Sequence, residues 1–245
     1  KGSVAKAVDG AYALDILGLN VTVPHKQEVI DVLVDIDPLA RAIGAVNTLV
    51  RTTCGYKGYN TDILGLKREL EEEDIELKEN NCIILGAGGA ARAIAFLCAQ
   101  SGADKVYMLN RTVEKAEDIA DAVNGYFNRE CVVPMHMDDY KSLKESGYIV
   151  IQTTSVGLHP HDDETAVTAD EFYENAAAGV DIIYNPYETM FMKLMKKHGK
   201  PAYNGLKMLL YQGVAAYELW NDCKISSDMA DIIYEDMKKE LGISE

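Results

Sequence analysis

The chain has 245 residues, of which 48% are hydrophobic, so it can fill the cores of two modest domains. Its formal net charge of -15 argues against nucleic acid or an anionic membrane surface as a partner, since both bind basic surfaces. The 5 cysteines are never spaced as CxxC and indicate free cytoplasmic thiols rather than disulfides or a zinc site, and no apolar run approaches the roughly 18 residues of a membrane span.

The first 63 residues predict a small unit that mixes strands and helices. The stretch "NVTV" (20–23) is typical of a strand, and "PHKQEVIDVLVD" (24–35) is expected to form a helix with proline in its first turn. The stretch "AVNTLVRTTCGYKGYN" (45–60) predicts a hairpin. The acidic run "RELEEEDIELKEN" (68–80) is typical of a solvated helix end and linker, so we place a domain boundary after residue 63.

Residues 64–205 predict a separate α/β domain. Buried strands are expected at 81–85, 104–109, 130–134, 148–153 and 179–184, and helices between them at 90–102, 112–124 and 188–199. Such alternation predicts a parallel sheet wrapped by helices. Two amphipathic patterns at 206–220 and 226–241 follow, and we expect the segment 206–245 to return as helices to the first domain.

A glycine cluster follows the first strand of this domain. In "IILGAGGAARAIAF", the segment from Gly86 to Ala90 stands between a buried strand and a helix. Glycines there permit a tight turn and let backbone N–H groups approach a pyrophosphate, as in doubly wound, Rossmann-type domains. The alternative is a bare strand-to-helix turn.

The end of the next strand indicates which dinucleotide is bound. An NAD site usually carries an acidic residue there, whereas this chain has Asn110, Arg111 and Thr112. An arginine and a hydroxyl suit a 2′-phosphate, so NADP is favoured over NAD. Alternatively, Asn110 and Thr112 cap the following helix and Arg111 pairs with Glu114.

Three polar corners in the first domain carry the remaining chemistry. They are "NVTVPHK" (20–26), "GAVNT" (44–48) and "GYNTD" (58–62), and together they supply a lysine, a carboxylate, amides and hydroxyls, which suit a small polyhydroxylated ligand. Taken singly, each is compatible with ordinary turn chemistry, and Lys26 with a surface charge. His159 and His161 resemble a metal cluster, but Pro160 and the acidic loop favour a solvated turn, and we expect no metal site.

At this point the sequence resembles the shikimate and quinate dehydrogenase family, from about Leu19 to Trp220. The match rests on the three corners, the glycine loop, "NRT", "TTSVG", "DIIYNPYET" and "NGLKMLLYQG", in the family's order and spacing. The resemblance implies a Rossmann-type NADP domain with a smaller α/β substrate domain. We expect the substrate to bind in the cleft where the domains meet, and the domains to close around the ligands because Asp62 is followed almost at once by the crossing helix. It also implies NADP-dependent reduction of 3-dehydroshikimate to shikimate, in aromatic amino acid biosynthesis.

The resemblance assigns roles to residues at matching positions. Lys26 and Asp62 would be the catalytic pair. The substrate would contact Thr22, Asn47, Tyr184 and Gln212. The cofactor would contact Gly86, Ala87, Gly88, Gly89, Ala90, Asn110, Arg111, Thr112, Thr154, Ser155, Ile182, Gly205 and Met208.

The chemistry of ketone reduction agrees with a lysine at this place, because negative charge grows on the oxygen as hydride reaches the carbon. Lys26 would act either as a proton donor, if burial lowers its pKa, or as a fixed positive charge with the proton arriving through water. Asp62 nearby would oppose the lowering of that pKa.

One departure from the family concerns the start of the chain. The family begins with a strand and helix that carry two serines for the substrate carboxylate, whereas this chain starts at "KGSVAKAVDGAYALDILG", inside a later helix, and Ser3 does not match that motif. The alternatives are an NAD-dependent quinate or shikimate dehydrogenase and a non-catalytic nucleotide-binding homologue. The expected partners are the small substrate and, at most, a second copy in a homodimer.

Overall fold

The computed structural model describes residues 2–243, which divide into two compact units. The first unit runs to Leu66 and resumes at Leu209, and the second unit is Lys67–Met208. Both boundaries fall inside helices, so the chain passes between the units without a loop. Within residues 2–243, no helix is long and apolar enough to cross a membrane.

The first unit begins as a small α/β domain and ends in two helices. Its elements in chain order are α1 (Val4–Ala13), β1 (Gly18–Asn20), a 3₁₀ helix (Glu28–Val32), β2 (Asp35–Ile36), α2 (Pro38–Ile43), β3 (Thr48–Thr52), β4 (Gly55–Tyr59), the start of α3 (Thr61–Glu72), most of α8 (Leu206–Asn221) and α9 (Ser227–Glu240). The strands form a sheet in the order β1-β3-β4-β2, with β1 at an edge. The predicted hairpin is present, since β3 and β4 pair antiparallel from Thr48 opposite Tyr59 to Thr52 opposite Gly55.

The core of the first unit lies under this sheet. Val29, Leu49 and Tyr56 are almost fully buried there, and Tyr12 packs edge-on against Tyr56 with ring centroids 5.7 Å apart. Near the end of α8, the indole N–H of Trp220 donates a hydrogen bond of 2.8 Å to the Leu49 carbonyl. A side chain at Gly18 would meet the same indole, so glycine permits this close packing.

The second unit is the expected parallel sheet flanked by helices. After the end of α3, its elements are β5 (Cys82–Leu85), α4 (Gly89–Gln100), β6 (Val106–Asn110), α5 (Val113–Phe127), β7 (Val132–His136), a 3₁₀ helix (Met137–Ser142), β8 (Tyr148–Gln152), α6 (Asp170–Glu174), β9 (Ala176–Asp181), α7 (Met190–Lys197), β10 (Ala202–Asn204) and the start of α8. All neighbours are parallel in the order β10-β9-β8-β5-β6-β7, which is the doubly wound arrangement. The central strands β5 and β8 are buried along their whole length, as continuous apolar runs predict.

Three sequence-based predictions of elements were wrong. The strand expected at 20–23 is absent beyond Asn20, because β1 is Gly18–Asn20 and the chain then enters the turn at Val23 and Pro24. The segment 24–35 is a turn followed by a five-residue 3₁₀ helix rather than an α-helix, and Pro24 lies in the turn after a cis peptide bond. The strand predicted at 179–184 ends at Asp181, because the Asp181 carboxylate accepts the backbone N–H of Ile183 and so turns the chain out of the sheet.

Candidate active site

The first unit brings three of the predicted residues into one cluster. Lys26 Nζ donates to Asp62 Oδ2 at 2.8 Å, and Asn47 Nδ2 donates to Asp62 Oδ1 at 2.9 Å. The side chains of Lys26 and Asp62 are 27% and 21% exposed, so the ion pair is sheltered but open to a ligand. A lysine, a carboxylate and an amide are therefore held within hydrogen-bonding distance of each other.

Local structure fixes each member of this cluster. Asn60 accepts the Asp62 N–H at 3.1 Å and so caps the start of α3, where the helix dipole favours a carboxylate. The carbonyl of Lys26 accepts the Val46 N–H at 2.8 Å, which joins the lysine turn to the segment before β3.

Asn47 is the most constrained residue of the cluster. Its Oδ1 accepts the backbone N–H of Thr61 at 2.8 Å and the hydroxyls of Thr48 and Thr61 at 3.1 and 3.2 Å. Since one amide hydrogen goes to Asp62, one remains for a ligand. Asn47 is thus both a link between the turns and a possible donor.

The other predicted substrate residues lie outside these contacts. Thr22 is exposed, and its carbonyl accepts the His25 N–H at 2.9 Å. Gln212 lies on α8 and donates to the Leu209 carbonyl at 3.0 Å. Tyr184 belongs to the second unit and is exposed in the segment after β9. Within residues 2–243, none of these side chains forms a hydrogen bond with Asp62.

The glycine loop in the second unit has the conformation expected of a turn that needs glycine. Gly86 has a φ of 109°, and a Cβ there would lie 2.8 Å from the Thr153 hydroxyl. The next helix, α4, starts at Gly89 with no side-chain cap on its first turn, and Gly88 and Gly89 are exposed with open space where a Cβ would stand. The N–H groups at this helix start are therefore available to an anion.

The sheet register aligns the other predicted cofactor residues with this loop. Leu85 lies opposite Gln152, Gln152 opposite Asp181, and Asp181 opposite Asn204, so these residues form one row at the carboxyl ends of β5, β8, β9 and β10. Gly86, Ile182 and Gly205 each directly follow a member of this row, and Thr154 lies two residues after Gln152. Four of the predicted positions are thereby gathered along one edge, with Ser155 and Met208 close behind in sequence.

The segment after β6 matches neither part of the alternative that the sequence left open. Thr112 precedes α5 but forms no side-chain cap, and Asn110 Nδ2 donates to the Thr112 carbonyl at 2.8 Å instead. Arg111 is exposed and makes no ion pair with Glu114 or any other described residue. A free guanidinium and a free hydroxyl thus lie side by side at the end of the strand.

Sequence reasoning missed the polar residues beneath this edge. Gln152, Asp181 and Asn204 are 1%, 0% and 7% exposed, and burial raises the pKa of Asp181 to about 7. It also missed Glu69 on α3, which is 1% exposed, and neither of its carboxyl oxygens has a hydrogen-bond partner among the described residues. A polar residue at each strand end was the available signal, but the register that aligns them is not local.

The histidines of the acidic loop are exposed and pair with carboxylates. His159 Nδ1 lies 3.3 Å from Asp162 and His161 Nδ1 lies 3.3 Å from Glu164. These i,i+3 contacts are those of a solvated turn.

Comparison with known proteins shows which families the sequence matches. Residues 1–49 match the family model described as the shikimate dehydrogenase substrate binding domain, and residues 68–182 match the model described as shikimate / quinate 5-dehydrogenase. A shikimate dehydrogenase (NADP(+)) of Bacillus cereus is 41% identical over 226 residues, which are 90% of this chain and 78% of the relative.

Two solved structures extend the likeness to the fold. A chorismate mutase/shikimate 5-dehydrogenase fusion protein from Clostridium acetobutylicum superposes with a TM-score of 0.87 at 36% identity, covering 97% of this chain and 83% of the other. A shikimate dehydrogenase crystallised in complex with NADP+ superposes with a TM-score of 0.85 at 37% identity, covering 99% and 82%.

Proposed function

The chain belongs to the shikimate dehydrogenase family, and from this membership we infer that it catalyses the NADP-dependent, reversible reduction of 3-dehydroshikimate to shikimate. It is an oxidoreductase that uses NADP and serves aromatic amino acid biosynthesis. The roles of individual residues are our proposal, and the contact between Lys26, Asp62 and Asn47 carries it.

Lys26 acts at the oxygen of the reacting carbonyl. As the ketone is reduced, negative charge grows on that oxygen, and an ammonium group stabilises it most when it is already fixed in place. The 2.8 Å contact with Asp62 provides this fixation, and the hydrogen bond from Asn47 orients the carboxylate in turn. Asp62 is therefore the group that aims Lys26 and balances its charge.

The ammonium has two ways to serve the reaction. In one, Lys26 Nζ gives a proton to the oxygen and regains one from solvent, for which its 27% exposure leaves a path. In the other, Lys26 keeps its protons and acts as a fixed cation while water protonates the oxygen. In the oxidation of shikimate the same groups act in reverse.

The described residues fit a dinucleotide with a 2′-phosphate. The uncapped start of α4 offers N–H groups for the pyrophosphate, and Arg111 with Thr112 offers a cation and a hydroxyl for the 2′-phosphate. Ala87 and Ala90 flank the glycines of that loop, while Thr154, Ser155, Ile182, Gly205 and Met208 lie along the same edge of the sheet. When bound, NADPH supplies the hydride.

Further contacts to the substrate come from Thr22, Asn47, Gln212 and Tyr184. Each offers a donor or acceptor suited to a hydroxyl of the cyclohexene ring, and the free amide hydrogen of Asn47 is the best placed because that residue already touches Asp62. The enzyme acts in the cytoplasm, which its free cysteines support. It acts as a monomer or a homodimer. Its net charge of -15 disfavours nucleic acid as a partner.

The first test is absorbance at the reduced-nicotinamide band with shikimate and either NADP or NAD. We expect activity with NADP that Lys26→Ala loses, because the charge at the oxygen is gone. Lys57→Ala is the matched control, since Lys57 is 30% exposed and forms a similar 2.9 Å pair with Asp35 on the same sheet. Activity in Lys26→Ala equal to that of Lys57→Ala would contradict the role of Lys26, and better turnover with NAD would favour the quinate dehydrogenase alternative.

A second variant separates the two actions of Lys26. Lys26→Arg keeps a positive charge but has no proton that it can give up at accessible pH. A fixed cation predicts that Lys26→Arg retains far more activity than Lys26→Ala, whereas a proton donor predicts equal losses in the two variants.

A further inference from the structure

Three buried polar side chains lie in one row across the half of the sheet formed by β8, β9 and β10. Gln152, Asp181 and Asn204 are the last residues of these strands and are register partners of one another. Continuing the row toward the other half of the sheet, the partner of Gln152 is Leu85 and the partner of Leu85 is Leu109, both apolar. The buried polar residues of this row are therefore confined to one half of the sheet.

Gln152 binds the backbone of the segment that follows its own strand. Its Oε1 accepts the Thr154 N–H at 2.7 Å, and its Nε2 donates to the carbonyls of Thr154 and Val156 at 3.2 and 3.1 Å. These three bonds use the whole amide to close a turn around Thr154 and Ser155. The Thr154 hydroxyl adds a bond of 3.2 Å from the Val156 N–H.

Asp181 does the same for the segment after β9. Its Oδ1 accepts the Ile183 N–H at 3.0 Å and its Oδ2 accepts the Thr189 hydroxyl at 2.8 Å. Thr189 is itself fully buried and caps α7 by accepting the Met192 N–H at 3.3 Å. Both ends of the segment from Ile182 to Thr189 are thereby tied to one carboxylate.

Asn204 connects that segment to the start of α8. Its Nδ2 donates to the Tyr187 carbonyl at 2.7 Å and its Oδ1 accepts the Leu206 N–H at 3.0 Å. Next to it, Gly205 donates its N–H to the Ile183 carbonyl, and a Cβ on Gly205 would lie 2.1 Å from the Ile182 carbonyl oxygen. Ile182 and Gly205 are thus in direct backbone contact.

The cost of this arrangement indicates that it serves more than folding. Burying an amide or carboxylate is unfavourable unless its hydrogen bonds are made, and the leucines in the same row show that apolar residues fit the sheet there. What the polar residues add is a fixed backbone path for three successive segments. Those segments carry five of the residues assigned to the cofactor in the function proposed above.

We propose that Gln152, Asp181 and Asn204, with Thr189, are positioning residues for NADP, which hold the segments bearing Thr154, Ser155, Ile182, Gly205 and Met208 in the conformation that binds the cofactor. They touch backbone rather than the ligand. This inference rests on the proposed function, because the cofactor contacts are those assigned there.

The test compares two variants that lose hydrogen bonds with one variant that loses only packing. Gln152→Met keeps the length of the side chain and removes all three bonds, and Thr189→Val removes the hydroxyl donor while Thr189→Ser restores it. Val150→Ala is the matched control, since Val150 lies two residues earlier on β8, is fully buried and contributes only packing. For each variant, Tm, the Kd for NADPH by nicotinamide fluorescence, and kcat and KM with shikimate are measured.

We expect the Kd for NADPH and the KM for NADP to rise roughly 10-fold in Gln152→Met and Thr189→Val, because loss of positioning weakens binding. kcat at saturating cofactor should change less than about threefold, since Lys26 and Asp62 are intact. Thr189→Ser should recover the affinity, and Val150→Ala should lower Tm without moving Kd.

The inference is overturned if Kd is unchanged in both hydrogen-bond variants, or if it rises as much in Val150→Ala at a comparable fall in Tm. Should Gln152→Met fail to fold, the comparison of Thr189→Val with Thr189→Ser decides alone. A failure of the proposed function looks different, because the unmodified protein would then bind NADPH without oxidising shikimate; an unmodified protein that does not bind NADPH would overturn both.

Discussion

The two units hold their functional groups in opposite ways. In the first unit the proposed site consists of side chains fixed by other side chains, as the contacts of Lys26, Asp62 and Asn47 show. In the second unit it consists of backbone turns at strand ends, fixed from below by glycines and buried polar residues. Proton or charge transfer needs one group at one point, whereas a long dinucleotide needs an extended edge. Substitutions in the first unit should therefore reduce turnover, and those in the second should reduce cofactor affinity.

The largest effect is expected for Asp62→Asn. The amide keeps the shape of the side chain but removes the charge that holds Lys26, so kcat should fall roughly 100- to 1000-fold. The KM for NADP should stay within about twofold if binding belongs to the second unit. Steady-state kinetics with both ligands varied measures kcat and the KM for NADP together. Equal changes in kcat and in this KM would contradict the division of roles between the two units.

Gly205→Ala should produce the largest loss in the second unit. Because the new Cβ would lie 2.1 Å from the Ile182 carbonyl oxygen, the backbone of one segment must shift, and the affinity for NADP should fall roughly 100-fold. Gly213→Ala is the control, on the helix that Gly205 precedes. Nothing lies within 4 Å of the Cβ position of Gly213, and alanine there should raise Tm slightly. Titration of NADPH fluorescence measures both, and unchanged affinity in Gly205→Ala would contradict the assignment.

Arg111→Gln tests whether the second unit distinguishes NADP from NAD. Removing the only cation assigned to the 2′-phosphate should raise the KM for NADP roughly 10-fold and leave the KM for NAD unchanged. Lys115→Gln removes an equal exposed charge in the first turn of α5. It controls for the effect of net charge on the binding of any anionic ligand. A parallel rise for NADP and NAD would show that Arg111 does not read the phosphate.

The smallest and most pH-dependent effect concerns the second carboxylate of α3. Asp62 is paired, whereas neither buried carboxyl oxygen of Glu69 has a partner at ordinary hydrogen-bond geometry among the described residues. Burial together with the nearby Glu73 raises the pKa of Glu69 to about 8, although the Lys207 ammonium and the Met208 backbone act in the opposite direction. Glu72 lies in the same group and also raises that pKa. The folded protein therefore prefers a protonated Glu69.

The sign of the resulting pH effect follows from linkage. Glu69 contributes fully to stability below its unfolded pKa near 4.5, and that contribution is lost as pH rises through about 8. Glu69→Gln should therefore match the unmodified protein near pH 4 and have a higher free energy of unfolding at pH 9, by on the order of 2 kcal/mol. Urea unfolding at both pH values measures the difference, and a constant difference would exclude a buried, titrating Glu69.

The sequence predicts the sheet of the second unit and the hairpin of the first because both depend on local apolar patterns and turns. It does not predict β10, whose three residues "AYN" form a strand only by pairing with β9. The turn at Pro24 defeats the helix prediction for a similar reason, since Val46 takes the Lys26 carbonyl that a helix would have used.

The candidate site also contains residues that local motifs predict and residues that depend on strand pairing. Lys26, Asn47 and Asp62 are visible in the sequence because each ends a short motif, although the central position of Asn47 among three partners is not. Gln152, Asp181 and Asn204 resemble ordinary turn formers when read along the chain. Only the register of three strands, set by residues far apart in sequence, shows that they form one row.

The packing of Trp220 on Gly18 and Leu49 gives the molecule a built-in optical label. Trp220 is the only tryptophan of the chain, and its indole is anchored to β3 within the first unit. Excitation of that indole at long ultraviolet wavelengths thus reports the state of the first unit alone, while absorbance by the tyrosines of both units reports the whole chain. A single sample can therefore show whether the two units melt together or in sequence, without any added dye.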